Sequence, residues 1–464
     1  MNSVINFVLR LTTHFLFTLA LFTGDALLIT PAFAVTDVEL RALEQQIEKQ
    51  EAEQVKQKAE AKRKAEEEVK KQTDLEKQRA AEQEKQKAEA AANSRKENLQ
   101  SLLDHANEAL DANDLEKART FLAEAEKISP DAHELTAVRA RFSYFSKDYV
   151  QALQLSEPLA NEGIALAQNL LGALYMEGNG VTQDYNKARL WLDKAAAQNY
   201  PRAQMNIGRL YHNGWGVPQD YARAREWYEK AATQGNAMAQ YLIGLLYHNG
   251  QGIPQDYVRA REWYEKAAAQ GNADGQTGIG WLYQYGQGVS QDYGKAREWY
   301  EKAAAQGDAA AQRNIGWLYQ YGQGVSQDYG KAREWYEKAA AQGNPAAQND
   351  IGALYHNGWG VPQDYGKARE WYEKAAAQGN PDAQYGIGWL YQYGQGVSQD
   401  YARAREWYEK SAAQGNPGAQ YSIGVLYYNG QGVPQDYSKA REWYQKAAAQ
   451  GNELAIENLK KLQY

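Results

Sequence analysis

From residue 167 onward, apolar side chains come in short bursts with helical spacing, separated by glycine-containing turns. The second burst places Ala203, Ile207, Leu210 and Tyr211 at i, i+4, i+7 and i+8, one stripe along a helix. Asn213 to Gly216 end that helix, because glycine accepts the left-handed conformation of a C-terminal cap. Asp220 then stands where an N-cap carboxylate can accept from exposed amides. In the helix that follows, Tyr221, Ala224, Trp227, Tyr228, Ala231 and Ala232 share one face. Arg225, Glu226, Glu229 and Lys230 occupy the other, with Glu226 and Lys230 spaced as a favourable i,i+4 pair. A turn such as Gln342 to Pro345 closes the unit, with Gly343 ending one helix, Asn344 capping the next and Pro345 in its first turn.

The helix pair is copied. The tripeptide Gln-Asp-Tyr recurs from Gln183 to Gln435 at a constant step of 36 residues. Residues 279–307 and 315–343 are identical, and 387–415 differs only at Ala402, Arg403 and Ser411. Eight full units fill residues 167–454, and a polar helix at 455–464 caps the array. Gly172, Gly208, Gly244, Gly280, Gly316, Gly352, Gly388 and Gly424 fall inside the first helix of each unit. A mid-helix glycine costs about 1 kcal/mol relative to alanine, so the absent side chain is expected to make room for a Trp or Tyr ring of the second helix.

The consensus Ala-Gln-x-x-Ile-Gly-x-Leu-Tyr, then Gln-Asp-Tyr, then Glu-Trp-Tyr and Ala-Ala-x-Gln-Gly resembles the Sel1-like repeat, a relative of the tetratricopeptide repeat. The resemblance implies an all-α, right-handed superhelical solenoid with the first helices lining its concave side. It also implies a scaffold or adaptor for protein complexes, often in bacterial envelopes. Cysteine-rich members of that family carry a bridge in each repeat; this chain has no cysteine, so nothing tied to those bridges is carried over.

A second stripe on each first helix is expected to point away from the core, and it varies between units. It holds Arg209 and His212, then Tyr241 and His248, then Trp281 and Gln284. Arg313, Trp317 and Gln320 follow, then His356, then Tyr385, Trp389 and Gln392, and finally Tyr421 and Tyr428. Aromatic and arginine side chains are favoured anchors in protein interfaces. These residues are the candidates for binding a partner along the groove; the alternative is that they pack between neighbouring first helices.

The N-terminal third reads differently. Residues 1–34 have one charge, Arg10, ahead of the apolar run Phe15 to Phe22, and end in Pro-Ala-Phe-Ala, the pattern of a cleaved secretory signal. Residues 35–96 hold 15 acidic and 15 basic residues without Gly or Pro, a charged helical stalk or coiled coil. Its apolar positions are thinly and irregularly spaced, so self-association and a single solvated helix both remain open. Residues 97–166 turn amphipathic and loosely resemble tetratricopeptide hairpins, as in Asp114 to Asp131.

A net charge of −7 gives no basic footprint for nucleic acid. The Gly-x-Gly turns lie between helices and lack the strand and Lys-Ser/Thr of a phosphate cradle. No motif joins a nucleophile to a base, and no metal or cofactor site is expected. The function expected is a non-enzymatic protein-interaction scaffold, exported and periplasmic. The alternatives are a secreted protein or one tethered by an uncleaved N-terminal segment, with no integral membrane span after cleavage. For the activity, the alternatives are a glycan- or peptidoglycan-binding module and a cell-wall or β-lactam hydrolase.

Overall fold

The computed structural model describes residues 37–462; the expected signal segment at 1–34 lies outside them. The chain divides into two units, Met1–Lys96 and Glu97–Tyr464. Every ordered element among the described residues is a helix. Helix α1 (Asp37–Asp111) begins in the first unit and ends in the second. In the first unit nearly all of its described side chains are exposed, including Val38 at 76%, Val55 at 67% and Val69 at 63%. Ion pairs such as Lys62–Glu66 (4.0 Å) and Arg63–Glu67 (3.9 Å) run along its surface. Each such exposed pair contributes about 0.3–0.5 kcal/mol.

In the second unit, the end of α1 packs with α2 (Leu115–Ile128) and α3 (His133–Phe145), and α4 (Tyr149–Asn161) packs on α3. Leu103, Leu110, Leu122, Leu135 and Val138 form the core shared by α1, α2 and α3. The carboxylates of Asp114 and Asp148 cap α2 and α4, accepting from the amides of Lys117 (3.0 Å) and Gln151 (3.1 Å).

The repeats begin with α5 (Ala165–Glu177) and α6 (Tyr185–Ala197). Pairs of helices follow at the same step to Pro417–Asn429 and Tyr437–Ala448, and a single helix, Glu453–Lys461, closes the array. The tandem helix pairs form an α-solenoid. Successive first helices approach one another more closely than successive second helices do. That difference puts the first helices on the inner side of the curve.

Three devices recur in each pair. Asp caps the second helix, as Asp220 does by accepting from the amide of Arg223 at 3.0 Å. Glycine closes the first helix in the left-handed region, as Gly214 does at φ 69°. A glutamine at the end of the second helix donates back to one on the first, as in Gln342 Nε2 to Gln312 Oε1 at 2.9 Å. The last bond repeats from Gln198–Gln168 to Gln450–Gln420 and ties the two helices of all eight pairs.

The mid-helix glycines are explained by crowding. A methyl group on Gly208 would lie 2.4 Å from Tyr228 Cε1 and 3.1 Å from the Ala224 carbonyl oxygen. The ring is always tyrosine from the second pair on, and Leu192 takes its place opposite Gly172. The tryptophan of the second helix is not the partner.

Candidate interaction surface

From the second pair on, the tyrosine laid across the glycine decides what the neighbouring positions do. Tyr300 crosses the first helix at Gly280, and its hydroxyl reaches one turn further to donate to Gln284 Oε1 at 2.7 Å. Tyr336 does the same to Gln320 at 2.8 Å, and Tyr408 to Gln392 at 2.7 Å. Gln284, Gln320 and Gln392 are therefore buried, and their expected outward placement is corrected. The first helix has two covered sides, one against its own second helix and one against the preceding pair. A residue four after the glycine falls at the edge of the covered surface. Burial pushes the tyrosine hydroxyls well above their ordinary pKa, so they stay protonated donors.

His212, His248 and His356 occupy the same position in other pairs and are half-buried. Each meets a tyrosine edge-on: Tyr221 at 5.1 Å, Tyr257 at 5.4 Å and Tyr365 at 5.4 Å between ring centroids. Their Nδ1 atoms are buried without a hydrogen-bond partner. Burial lowers the pKa of all three, and nearby Arg209 adds to the effect on His212.

The rest of the stripe divides in two. Tyr241, Tyr385 and Tyr421 face inward, against Tyr264, Tyr408 and Tyr444 at centroid distances of 5.6, 5.6 and 5.7 Å. Arg313 pairs with Asp350 of the next repeat at 2.6 Å. These four serve contacts between helices. Trp281, Trp317 and Trp389 are half-buried. Each supports an exposed tyrosine one turn on: Trp281–Tyr285 at 4.5 Å, Trp317–Tyr321 at 4.8 Å and Trp389–Tyr393 at 4.7 Å. Trp281 also rests on His248 of the preceding repeat at 4.3 Å, and Trp389 on His356 at 4.4 Å. Tyr285, Tyr321 and Tyr393 are 48%, 49% and 52% exposed, and Tyr428 near the end of the array is 38% exposed. Sequence reasoning missed the first three because they precede the capping glycine and read as part of the turn. The signal was present as an i,i+4 Trp–Tyr spacing on the same helix.

Arg209 lies over the Trp215 ring at 5.8 Å and lines a separate cavity nearer the start of the solenoid. Among the described residues, no cluster of three or more His, Asp or Glu is arranged to hold a metal. Among them, too, no helix is long and apolar enough to cross a membrane.

Eight consecutive stretches match the model of the Sel1 repeat: 165–200, 201–236, 237–272, 273–308, 309–344, 345–380, 381–416 and 417–452. A solved structure of a protective antigen from uropathogenic Escherichia coli strains, displaying an SLR fold, is 40% identical. The match covers 66% of this chain and 66% of that one, just under two thirds, with a TM-score of 0.46. A Sel1 repeat protein from Oxalobacter formigenes is 36% identical over 67% of this chain and 90% of its own, with a TM-score of 0.44. No curated protein sequence matches the chain.

Proposed function

The chain belongs to the Sel1 repeat family, and from that premise we propose that it is an envelope scaffold gripping a partner protein on its inner face. Sel1- and tetratricopeptide-type repeat proteins generally mediate protein–protein interaction and are generally non-catalytic. The observation that carries the finer reading is the set of Trp–Tyr pairs at 281/285, 317/321 and 389/393. A half-exposed tyrosine braced by a half-buried tryptophan is rigid before binding. Such an anchor loses little conformational freedom when a partner covers it. The location rests on the signal-like pattern of residues 1–34. Exposed Val38, Val55, Val69 and Leu75 are apolar points of the stalk on which a second copy of it would associate.

In-cell crosslinking followed by mass spectrometry tests this reading, comparing the native chain with a Tyr285/Tyr321/Tyr393→Ala variant. The native chain is expected to capture envelope proteins, and the variant to keep its helical spectrum and lose them. Equal capture by both would remove the aromatic pairs from the account. Retention of the native chain on purified cell-wall material, abolished in the variant, would instead make the surface a glycan platform.

A further inference from the structure

A cavity of about 250 Å³ opens between α3, α5 and the first helix of the second repeat (Pro201–Asn213). Its lining includes the apolar side chains Phe145, Leu166, Leu170 and Met205. Among them stand three guanidinium groups, Arg141, Arg202 and Arg209, with Arg141 over the Phe145 ring at 5.3 Å. Arg141 and Arg202 both donate to the same carboxylate, Asp111, and Arg141 also donates to Asn107 Oδ1 at 2.6 Å. Glu177, the one carboxylate lining the cavity, accepts from the Tyr144 hydroxyl. Among the described residues Arg209 has no ion-pair partner, and only the Trp215 ring lies beneath it. Three cations thus face two carboxylates, Asp111 and Glu177. Each guanidinium has five N–H donors, so most of those here have no acceptor within the protein and are free to meet an added one.

Half-buried cations in excess of their counter-charges are held at a cost in solvation. Burial alone pulls the Arg202 pKa down to about 10. An added anion relieves that cost, and a planar one meets a guanidinium in two parallel bonds. The apolar side chains in the same lining favour an anion attached to an apolar body over a bare inorganic ion.

We propose that this cavity is a carboxylate-binding site, with Arg209 as the principal contact and the apolar side chains Leu166, Leu170 and Met205 seating an adjacent apolar group. The carboxylate comes either from the acidic end of a partner's peptide or from a free small organic acid. The site is separate from the Trp–Tyr pairs, so either assignment can fail without the other.

Titration calorimetry on the full chain tests it with three probes: N-acetyl-Leu-Glu with a free terminus, N-acetyl-Leu-Gln-amide, and glutarate. The acidic peptide is expected to bind at least tenfold more tightly than its neutral counterpart. Arg209→Met is expected to weaken it at least tenfold, and Arg209→Lys by only a few fold. Glu177→Gln, which removes the competing carboxylate while keeping an acceptor for Tyr144, is expected to tighten binding. Peptide binding without glutarate binding supports a partner's acidic segment as the source, and glutarate binding of equal strength supports a free acid. Equal binding of the acidic and neutral peptides, or binding indifferent to both Arg209→Met and Glu177→Gln, would overturn the assignment.

Discussion

Replacing Gly316 with alanine adds one methyl group where the structure has no room for it. The new carbon would sit 2.7 Å from Tyr336 Cδ1 and Cε1 and 3.0 Å from the Ala332 carbonyl oxygen. Unstrained carbon contacts lie at about 3.5–4.0 Å, so the ring must move by roughly 1 Å. Tyr336 is fully buried and its hydroxyl is held by Gln320, so it has nowhere to go. Overpacking of this kind costs about 1–3 kcal/mol. With a backbone oxygen as one of the crowded atoms, the upper part of that range applies. Alanine recovers about 1 kcal/mol of helix propensity, which leaves a net loss of about 1–2 kcal/mol. Gly330→Ala is the matched control, because a methyl there meets only Asp328 Oδ1 at 3.2 Å. The equivalent position already holds Ala222 and Ala402 in other repeats. The control is expected to be neutral or slightly stabilising.

In a linear array each repeat is stabilised mainly by its neighbours, so the damage should be local. Hydrogen exchange in the native state reads it directly. A loss of 1–2 kcal/mol corresponds to roughly 5- to 30-fold faster exchange in the helices Ala309–Tyr321 and Tyr329–Ala341. Residues 279–307 and 315–343 are identical in the native chain, but the substitution changes the mass of its own fragment and so separates it from its twin. Exchange in the Gly316→Ala variant as slow as in Gly330→Ala would refute the claim that the glycines exist to seat the tyrosines.

Three further outcomes follow from the same contacts. Tyr336→Phe leaves the buried Gln320 oxygen without its donor and is expected to cost about 1–3 kcal/mol. A double-mutant cycle with Gln320→Leu in urea unfolding should show a coupling of about 1 kcal/mol, and strict additivity would deny the bond any energetic role. Burial lowers the pKa of His212, His248 and His356 below that of the unfolded chain, so the unfolded chain binds protons first as pH falls. Their contribution is therefore fully present above about pH 6.5 and declines with acidification below it. The urea midpoint should fall between pH 7 and pH 5.5, and His248→Gln should reduce that fall. Asp328→Ala, by removing the acceptor of the Lys331 amide at 3.0 Å, should cost about 1 kcal/mol, measured as faster exchange in the first turn of its helix.

The solenoid could be read from periodicity because its causes are local. Gly322 and Asp328 punctuate helices by their own backbone and side-chain preferences, and those act within a few residues. The candidate surface could be read only in part, because burial in a solenoid is set by two neighbours at once. Taking one apolar stripe as the core makes Gln284 point outward at 100° per residue. The structure buries it because the glycine one turn earlier admits a tyrosine ring from the same repeat. The glycine and the glutamine are thus one device, and a helical wheel shows only one of them as unusual. The same device also explains the alternation between glutamine and histidine at that position. Glutamine takes the tyrosine hydroxyl as Tyr300 to Gln284 shows, whereas His248 offers a flat ring on which Trp281 of the following repeat rests. Where the next repeat carries tryptophan after a histidine repeat, as at 248/281 and 356/389, the exposed Trp–Tyr pair is braced from behind. Trp317 follows a glutamine repeat and has no histidine beneath it. Differences that look like drift along one helix are therefore correlated across the seam between repeats. The variable positions grade how firmly each exposed aromatic pair is held.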